Sequence, residues 1–540
     1  MTNPIVRFWR ELQRRKVIRV AIAYVVVSWV AIEVSSVVFP ALLLPEWSHR
    51  LVIALAVLGF PVALVMSWVF ELSADGLKRE SPKAGEQLLP LSSAAWRDEG
   101  VANPAELSDG RRSIVVLPFT NLSTEAGSEF FSDGITEEIL SLLARQPDLR
   151  VVSRTTSFSF KGSQSGLRDI ARKLNVEMVL EGSVRRSDRQ LRIMAQLIDP
   201  NTDAQLWSDR YDRELTDVFA VQGDIARQIV DALQLDPESC MECAPQTQQI
   251  EAYDYYLRGR QYFHQLTQNS LDFARQMFRQ AISIDPGYAR AWAGLADTES
   301  MIASWYDSSP DQFSKADEAS QKALDLAPEL AEAHSARGHA LTVNGDYAGA
   351  ARCFEHALEL EPNNYDTLYL YGRSRFAEGK LSEAAHLWER AHQAQPDDVQ
   401  AIALHEGALR GLGHHEAHAA LLPEAVRVVR QRLELAPDDQ RVLNLGSGVM
   451  ISAGLKEEGL AMIERLIQLN PNDGTTLYNA ACAFARAGLE EKALDAIERR
   501  MTIGWINRDW LEHDHDFDGL RKHPRFCKLL SSLPDKPEAG

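Results

Sequence analysis

Residues 334–362 read HSARGHALTVNGDYAGAARCFEHALELEP, and the fold of half the chain turns on them. Gly338 stands in the first part, and Ala350, Phe354, Ala357 and Pro362 follow in the second as A-x3-aromatic-x2-A-x4-P. The spacing predicts two helices: small residues let the first lie close to the second, the aromatic fills the gap between hairpins, and proline stops the second helix. The pattern recurs. Pro328, Pro362 and Pro396 are 34 residues apart, as are Pro437 and Pro471. The next copy is Gly372, Ala384, Trp388, Ala391 and Pro396; an earlier one is Gly259, Ala274, Phe278, Ala281 and Pro286. Another, with an insertion near 308–310, is Trp292, Leu295, Ala296, Ala316, Ala323 and Pro328. Later copies drift. Arg432 takes an alanine position, Gly459 takes another, and the last copy (Leu477, Ala480, Ala481, Phe484, Ala493) lacks the proline.

This pattern resembles the tetratricopeptide repeat. The resemblance implies six or seven hairpins over 251–505, stacked as an all-α superhelix, with 506–540 as a C-terminal cap and tail. A solenoid of this kind has a concave groove lined by the first helix of each hairpin, and such grooves take protein partners. The candidate partner-binding positions are Tyr255, Arg258, Tyr262, His334, Arg337, Tyr369, Arg373 and Asn444.

Working outward, 540 residues is too long for one domain. A charged fraction of 25% and an apolar fraction of 45% exclude a collagen-like or wholly disordered chain. The net charge of −19 argues against a chain-wide nucleic-acid binder. Five cysteines are too few and too scattered for a disulfide framework.

The first 80 residues are expected to form a two-helix transmembrane hairpin. Residues 51–70 (LVIALAVLGFPVALVMSWVF) carry no charge, and 17–40 are interrupted only by Arg19 and Glu33. Each is long enough for the ~30 Å hydrocarbon core. Basic residues before the first span, and Lys78, Arg79 and Lys83 after the second, point both ends toward the cytoplasm. The expectation is a multi-pass protein of the bacterial inner membrane with both termini and the rest of the chain cytoplasmic, a periplasmic placement being the alternative. Glu33 reads as a neutral or interface-reaching acid bonded to Ser35, Ser36 or Ser67. Residues 81–110 mix Pro, Gly, Ser and charge without period and read as a linker.

Residues 111–238 read as a small mixed α/β domain. Strand signals fall at 113–119, 150–153, 177–184, 190–198 and 205–209, and helical spacing at 135–143, 167–174 and 218–233. The stretches VVLPFTNLS (115–123), FFSDGITEEI (130–139), LEGSVRR (180–186) and LWSDRYDREL (206–215) resemble the TolB amino-terminal-like (FlgO-like) domain family. In that family the domain often stands between a membrane anchor and tetratricopeptide repeats, and some members carry an adenylate or guanylate cyclase domain. A hinge at 239–250 joins it to the repeats. The fold class expected is therefore α+β multi-domain: a transmembrane hairpin, a small mixed α/β domain and an all-α superhelix.

Constellations that suggest chemistry read as structural. Asp133–Gly134 reads as a helix cap and turn, and no phosphate-binding glycine loop is present. Cys240 and Cys243 form a single CxxC, whereas a zinc ribbon needs a second pair. His414, His415 and His418 lack the H-E-x-x-H spacing and read as a solvated turn in an inserted loop. The acidic run around His513–Asp518 lacks calcium-loop spacing and reads as the start of a capping helix. No catalytic, cofactor or metal residues are assigned. The function expected is a membrane-anchored scaffold or regulatory protein, not an enzyme, with protein partners in the repeat groove. The alternative is a nucleotide-responsive signalling protein related to cyclase-associated regulators.

Overall fold

The computed structural model describes residues 111–123, 127–163, 165–187, 190–235, 247–503, 506 and 508–533, and nearer the start Ser35, 70–73 and 76–79. The chain divides into two units, 1–97 and 98–540. In the first, β1 (Phe70–Ser73) and β2 (Gly76–Arg79) pair antiparallel, with Phe70 opposite Arg79 and Ser73 opposite Gly76.

This unit corrects the expected transmembrane hairpin. Among the described residues no helix is long and apolar enough to cross a membrane. The spans read at 17–40 and 51–70 lie outside the described residues apart from Ser35, which is helical, and Phe70, which opens a β-ladder. An apolar run measures transfer free energy and does not by itself fix conformation. The multi-pass inner-membrane placement, with both termini cytoplasmic, is corrected with the hairpin, because no helix among the described residues is long and apolar enough to cross a membrane. Glu33, Cys240 and Cys243 also lie outside the described residues.

The second unit combines a mixed α/β layer with a large all-α superhelix. Its first elements are β3 (Arg112–Val116), β4 (Thr120–Asn121), α1 (Ser128–Ala144), β5 (Leu149–Val151), α2 (Arg154–Phe158) and α3 (Leu167–Leu174). Then come β6 (Met178–Ser187), β7 (Gln190–Asp199), β8 (Ala204–Glu214) and α4 (Val218–Ala232). The strand order is β5-β3-β6-β7-β8, with β4 beside β6. Pairing is parallel where helices make the crossovers (Ser113↔Arg150, Val115↔Val179) and antiparallel along the meander (Val184↔Ile193, Ile193↔Tyr211). Alternation sets the faces: Leu191, Ile193, Ala195 and Leu197 of β7 are buried, while Arg192 and Met194 are exposed.

Helix α1 starts seven residues earlier than its apolar spacing suggested. Gly127, at φ +85°, precedes it, so Asp133 and Gly134 lie inside the helix and not at its cap. Gly134 is there for closeness: a Cβ at 134 would stand 2.5 Å from Leu257 Cδ1, on the first helix of the repeats.

Seven helical hairpins follow among the described residues: α5 (Ile250–Phe263) with α6 (Gln268–Ile284), α7 (Ala289–Trp305) with α8 (Pro310–Leu326), and α9 (Ala331–Val343) with α10 (Tyr347–Leu360). The array continues with α11 (Tyr365–Ala377) and α12 (Leu381–Ala394), α13 (Val399–Gly411) and α14 (His415–Leu435), α15 (Gln440–Ser452) and α16 (Lys456–Leu469), and α17 (Gly474–Arg486) and α18 (Glu490–Ile503). The predicted small-to-aromatic packing is explicit. Phe354 faces Gly338, Trp388 faces Gly372, and Phe278 is gripped by Gly259 of its own hairpin and Gly294 of the next. Where the pattern drifts, aliphatic side chains substitute: Gly446 meets Val429 and Met462. Turns within hairpins close on left-handed Gly345, Gly379, Gly413, Gly454 and Gly488, a conformation that glycine adopts without steric cost.

The inserted residues of the fifth hairpin do not form a loop. They lengthen α14 to 21 residues, so His415 and His418 are helical and His414 is the cap, which corrects the solvated turn. The array returns on itself: Arg500 donates to the Trp305 carbonyl at 2.7 Å, and the Trp305 and Tyr478 rings are 6.4 Å apart. The segment after α18 holds α19 (Arg508–His513), a 3-10 turn (His515–Leu520) and α20 (Pro524–Ser532).

A Cβ at Gly372 would stand 2.4 Å from Trp388 Nε1. Gly372→Ala is expected to cost about 1–3 kcal/mol in urea unfolding through overpacking. Adding Trp388→Phe should recover part of that loss, giving a non-additive double-mutant cycle.

Candidate functional site

The α/β layer and the repeats share one apolar core, running from Ile114 and Phe131 through Tyr253 and Phe278 to Ala333. Within this contact α1 presents three consecutive polar residues, all buried. Thr136 Oγ1 accepts from the Phe119 N–H at 3.0 Å. Glu137 accepts from Arg154 Nε at 2.7 Å, Arg260 Nη2 at 2.9 Å and His264 Nε2 at 2.9 Å. Glu138 accepts from Arg290 Nη1 at 2.8 Å, and Arg290 also reaches Glu332. Burial alone would raise the Glu137 carboxyl, but Arg154, His264 and Arg260 hold it well below the usual range. Burial and the neighbouring Arg154 push His264 down to about 3, so the ring is neutral and donates from Nε2 to the carboxylate. Asp133 accepts from Lys161 Nζ at 2.6 Å and from Gln261 at 2.7 Å. Farther along, Asp397 accepts from Ser153 Oγ at 2.6 Å and Arg432 Nη1 donates to Thr156 Oγ1 at 2.8 Å, so the fifth hairpin also meets the α/β layer.

Three candidate groove residues fall in this internal contact. The Tyr262 ring lies 5.8 Å from Phe130, Tyr255 packs against the shared core, and Arg258 donates to Asp254 at 2.8 Å over the Phe130 and Tyr255 rings. Two more are engaged within the array. His334 Nε2 bonds the Pro328 carbonyl at 2.7 Å, and Arg337 Nη1 donates to Asp317 Oδ1 at 2.7 Å.

The remaining three, Tyr369, Arg373 and Asn444, line one cavity of about 170 Å³ on the inner face of α11, α13, α15 and α17. Sequence reasoning missed their companions Trp305, Arg441, Arg486, Trp510 and Asp516. Trp510 and Asp516 come from the returning C-terminal segment. Phe376 packs on Trp510 at 4.8 Å, Tyr347 donates to Asp509 at 2.7 Å, and His513 Nδ1 lies 3.0 Å from the Ala377 carbonyl. The acidic run does cap a turn, with Asp514 accepting from the Asp516 N–H, but it also supplies charge to the cavity wall. Arg486 donates to Asp516 at 2.7 Å and to fully buried Glu406 at 2.9 Å, and Arg410 also contacts Asp516. His418, once read as solvated, lies 2.7 Å from Glu406.

Cys482, Asp514 and Asp516 lie together, as a cation site would require. Arg486 and Arg410 already answer Asp516, and Tyr478 donates to Asp514 at 2.9 Å. Burial and Asp516 raise the Asp514 carboxyl to about 6, and burial and Asp514 raise the Cys482 thiol. This is a partly buried ion-pair network, with its thiol held protonated.

The tetratricopeptide repeat family matches residues 331–364, and the chain is a tetratricopeptide-repeat-containing protein whose repeats fit a role in protein–protein interaction. A protein of Rhizobium meliloti (strain 1021) named "Putative adenylate cyclase 3" is 39% identical over 229 residues, 42% of this chain and 39% of that protein. The chain thus spans well under half the length of that relative. Among solved structures, the human IFIT1 dimer with m7Gppp-AAAA superposes at a TM-score of 0.37 with 14% identity, over 54% of this chain and 67% of that one. A tetratricopeptide repeat protein from Parabacteroides merdae gives a TM-score of 0.30 with 13% identity, over 52% of this chain and 98% of that one.

His264 holds its neutral form far below its unfolded value near 6.5, so its contribution is complete above about pH 6.5 and is lost as pH falls toward 3. Glu137, also depressed, adds a loss below about pH 4.5. Melting temperature should therefore fall on acidification from pH 7, and His264→Gln should flatten the pH 6.5–4.5 portion and lessen, without abolishing, the fall below 4.5, where Glu137 still titrates. Glu137→Gln leaves the half-buried Arg154 and Arg260 with no full counter-charge and is expected to cost up to about 3–5 kcal/mol in denaturant titration.

Proposed function

We propose that the chain is a scaffold or regulatory protein that acts by binding and not by bond-making chemistry. In this reading residues 111–238 are a TolB amino-terminal-like (FlgO-like) domain that serves as a sensing or interaction module, and the repeats hold a protein partner. The observation that carries it is the long array of hairpins whose inner helices bring Tyr369, Arg373 and Asn444 to one concave surface. The α/β layer supports a regulatory link, because its α1 is tied through Glu137 and Glu138 to the first two hairpins. Anything that shifts α1 is felt where the superhelix begins.

The test uses the full chain with a photo-crosslinking amino acid at Gln400, which lines the cavity, or at Glu464 on α16, a second helix of its hairpin. A discrete protein adduct from position 400 and none from position 464 is expected in the producing cell. No adduct at 400, or the same adducts at both, overturns the reading.

A second reading, a nucleotide-responsive signalling protein, draws on the likeness to the cyclase-named Rhizobium protein. ATP, GTP or their cyclic monophosphates would then raise the melting temperature of the full chain. A flat response to all four removes it.

A further inference from the structure

Four arginines line the concave cavity, and two of them have carboxylate partners. Arg410 and Arg486 share Asp516, and Arg486 also holds Glu406. Arg373 makes no hydrogen bond and no ion pair among the described residues. Its guanidinium lies 5.1 Å from the Trp305 ring centre, 4.8 Å from that of Trp510 and 5.8 Å from that of Tyr369. Such contacts engage the charge while leaving the N–H donors of a guanidinium unspent. Arg441 donates to the backbone carbonyl of His264 and has the Asp398 carboxylate as an electrostatic neighbour. Asn444 Oδ1 is buried and accepts no hydrogen bond among the described residues.

The wall thus offers a guanidinium fork and flat aromatic faces, inside a chain whose net charge is −19. The cavity's carboxylates do not cancel that fork, since Asp516 is engaged by Arg486 and Asp514 by the Tyr478 hydroxyl. Size narrows the ligand further. The cavity is about 170 Å³, close to the ~150 Å³ that accommodates a benzene ring in a protein interior. Trp510, Asp514, His515 and Asp516 of the returning segment form part of its wall, so its floor is a pocket for one ring, below the open side that a protein partner would cover.

We propose that this cavity binds a small planar organic anion: a single ring, or a flat body of that size, whose carboxylate is received by Arg373 and whose ring lies against the aromatic wall. This goes beyond the partner-binding reading and does not rest on it. A bound ring would bridge Trp305 at the start of the superhelical turn and Trp510 from its end, so the ligand would also brace the closure of the array.

Isothermal titration of the full chain with benzoate, 4-hydroxybenzoate and phenylacetate tests the site, with 4-hydroxybenzamide as the neutral isostere. The expected result is saturable binding of at least one carboxylate, at least about tenfold tighter than the amide, as a charge-assisted hydrogen bond requires. Arg373→Gln should weaken it by a similar factor. Arg373→Lys keeps the charge and loses the fork, and should weaken it with melting temperature unchanged should the glutamine variant fold poorly. Asn444→Asp, which adds a negative charge at constant size, should weaken it too. Absence of binding by all three carboxylates at millimolar concentration overturns the proposal. So does equal affinity for acid and amide, or unaltered affinity in the folded Arg373 variants. Tighter binding of ATP at the same site overturns the size argument and with it the ligand class. None of these outcomes bears on crosslinking from position 400, so the two readings fail separately.

Discussion

Glu137 sets the geometry of the second unit. A carboxylate taken out of water is tolerable only where cations and hydrogen-bond donors surround it, and here they come from both sides: Arg154 from the α/β layer, Arg260 and His264 from the first hairpin. None of those side chains can satisfy it unless α1 and α5 keep their spacing. That spacing is the one at which Leu257 lies against Gly134 and the apolar core runs unbroken from sheet to superhelix. Once the first hairpin is fixed, stacking fixes the rest, and the fifth hairpin returns to the α/β layer through Arg432, which donates to Thr156 while Asp439 holds its other end.

The repeats were legible because their signal is local and periodic. Gly372 opposite Trp388 and Gly338 opposite Phe354 can be read by counting residues, and the contacts have the form that counting implies. The sheet was legible for the same reason, since alternation in β7 maps directly onto its buried face. The internal contact was not. Glu137 and Glu138 look like the solvated side of an amphipathic helix, and their partners stand more than a hundred residues away at Arg260 and Arg290. Tyr255, Arg258 and Tyr262 were placed in the groove for a related reason: repeat periodicity says which side a residue takes and is silent on what another domain covers.

The cavity was half legible. Tyr369, Arg373 and Asn444 follow from their positions on first helices, but Trp510 and Asp516 belong to a segment with no repeat period, read only as a cap. The segment does cap, burying Phe517 and Leu520. It also adds a wall to one side of the groove, and it does so with the side chains that complete the charge balance of Arg410 and Arg486. The early part of the chain was misread for a different cause: the length of an apolar run was taken as conformation, and Phe70 stands in a β-ladder.

Helix α14 carries one further consequence. It has 21 residues where α10 and α12 have 14, and seven residues amount to two helical turns within about 20° of phase. The insertion therefore leaves every later hairpin facing as it would without it, while adding about 10 Å to a single rod. That rod ends at Gln431 and Arg432, the side chains that grasp Lys173 and Thr156. A solenoid can thus be fitted to a body outside its own repeat by changing one strut in whole turns, with the pitch of the spiral left alone.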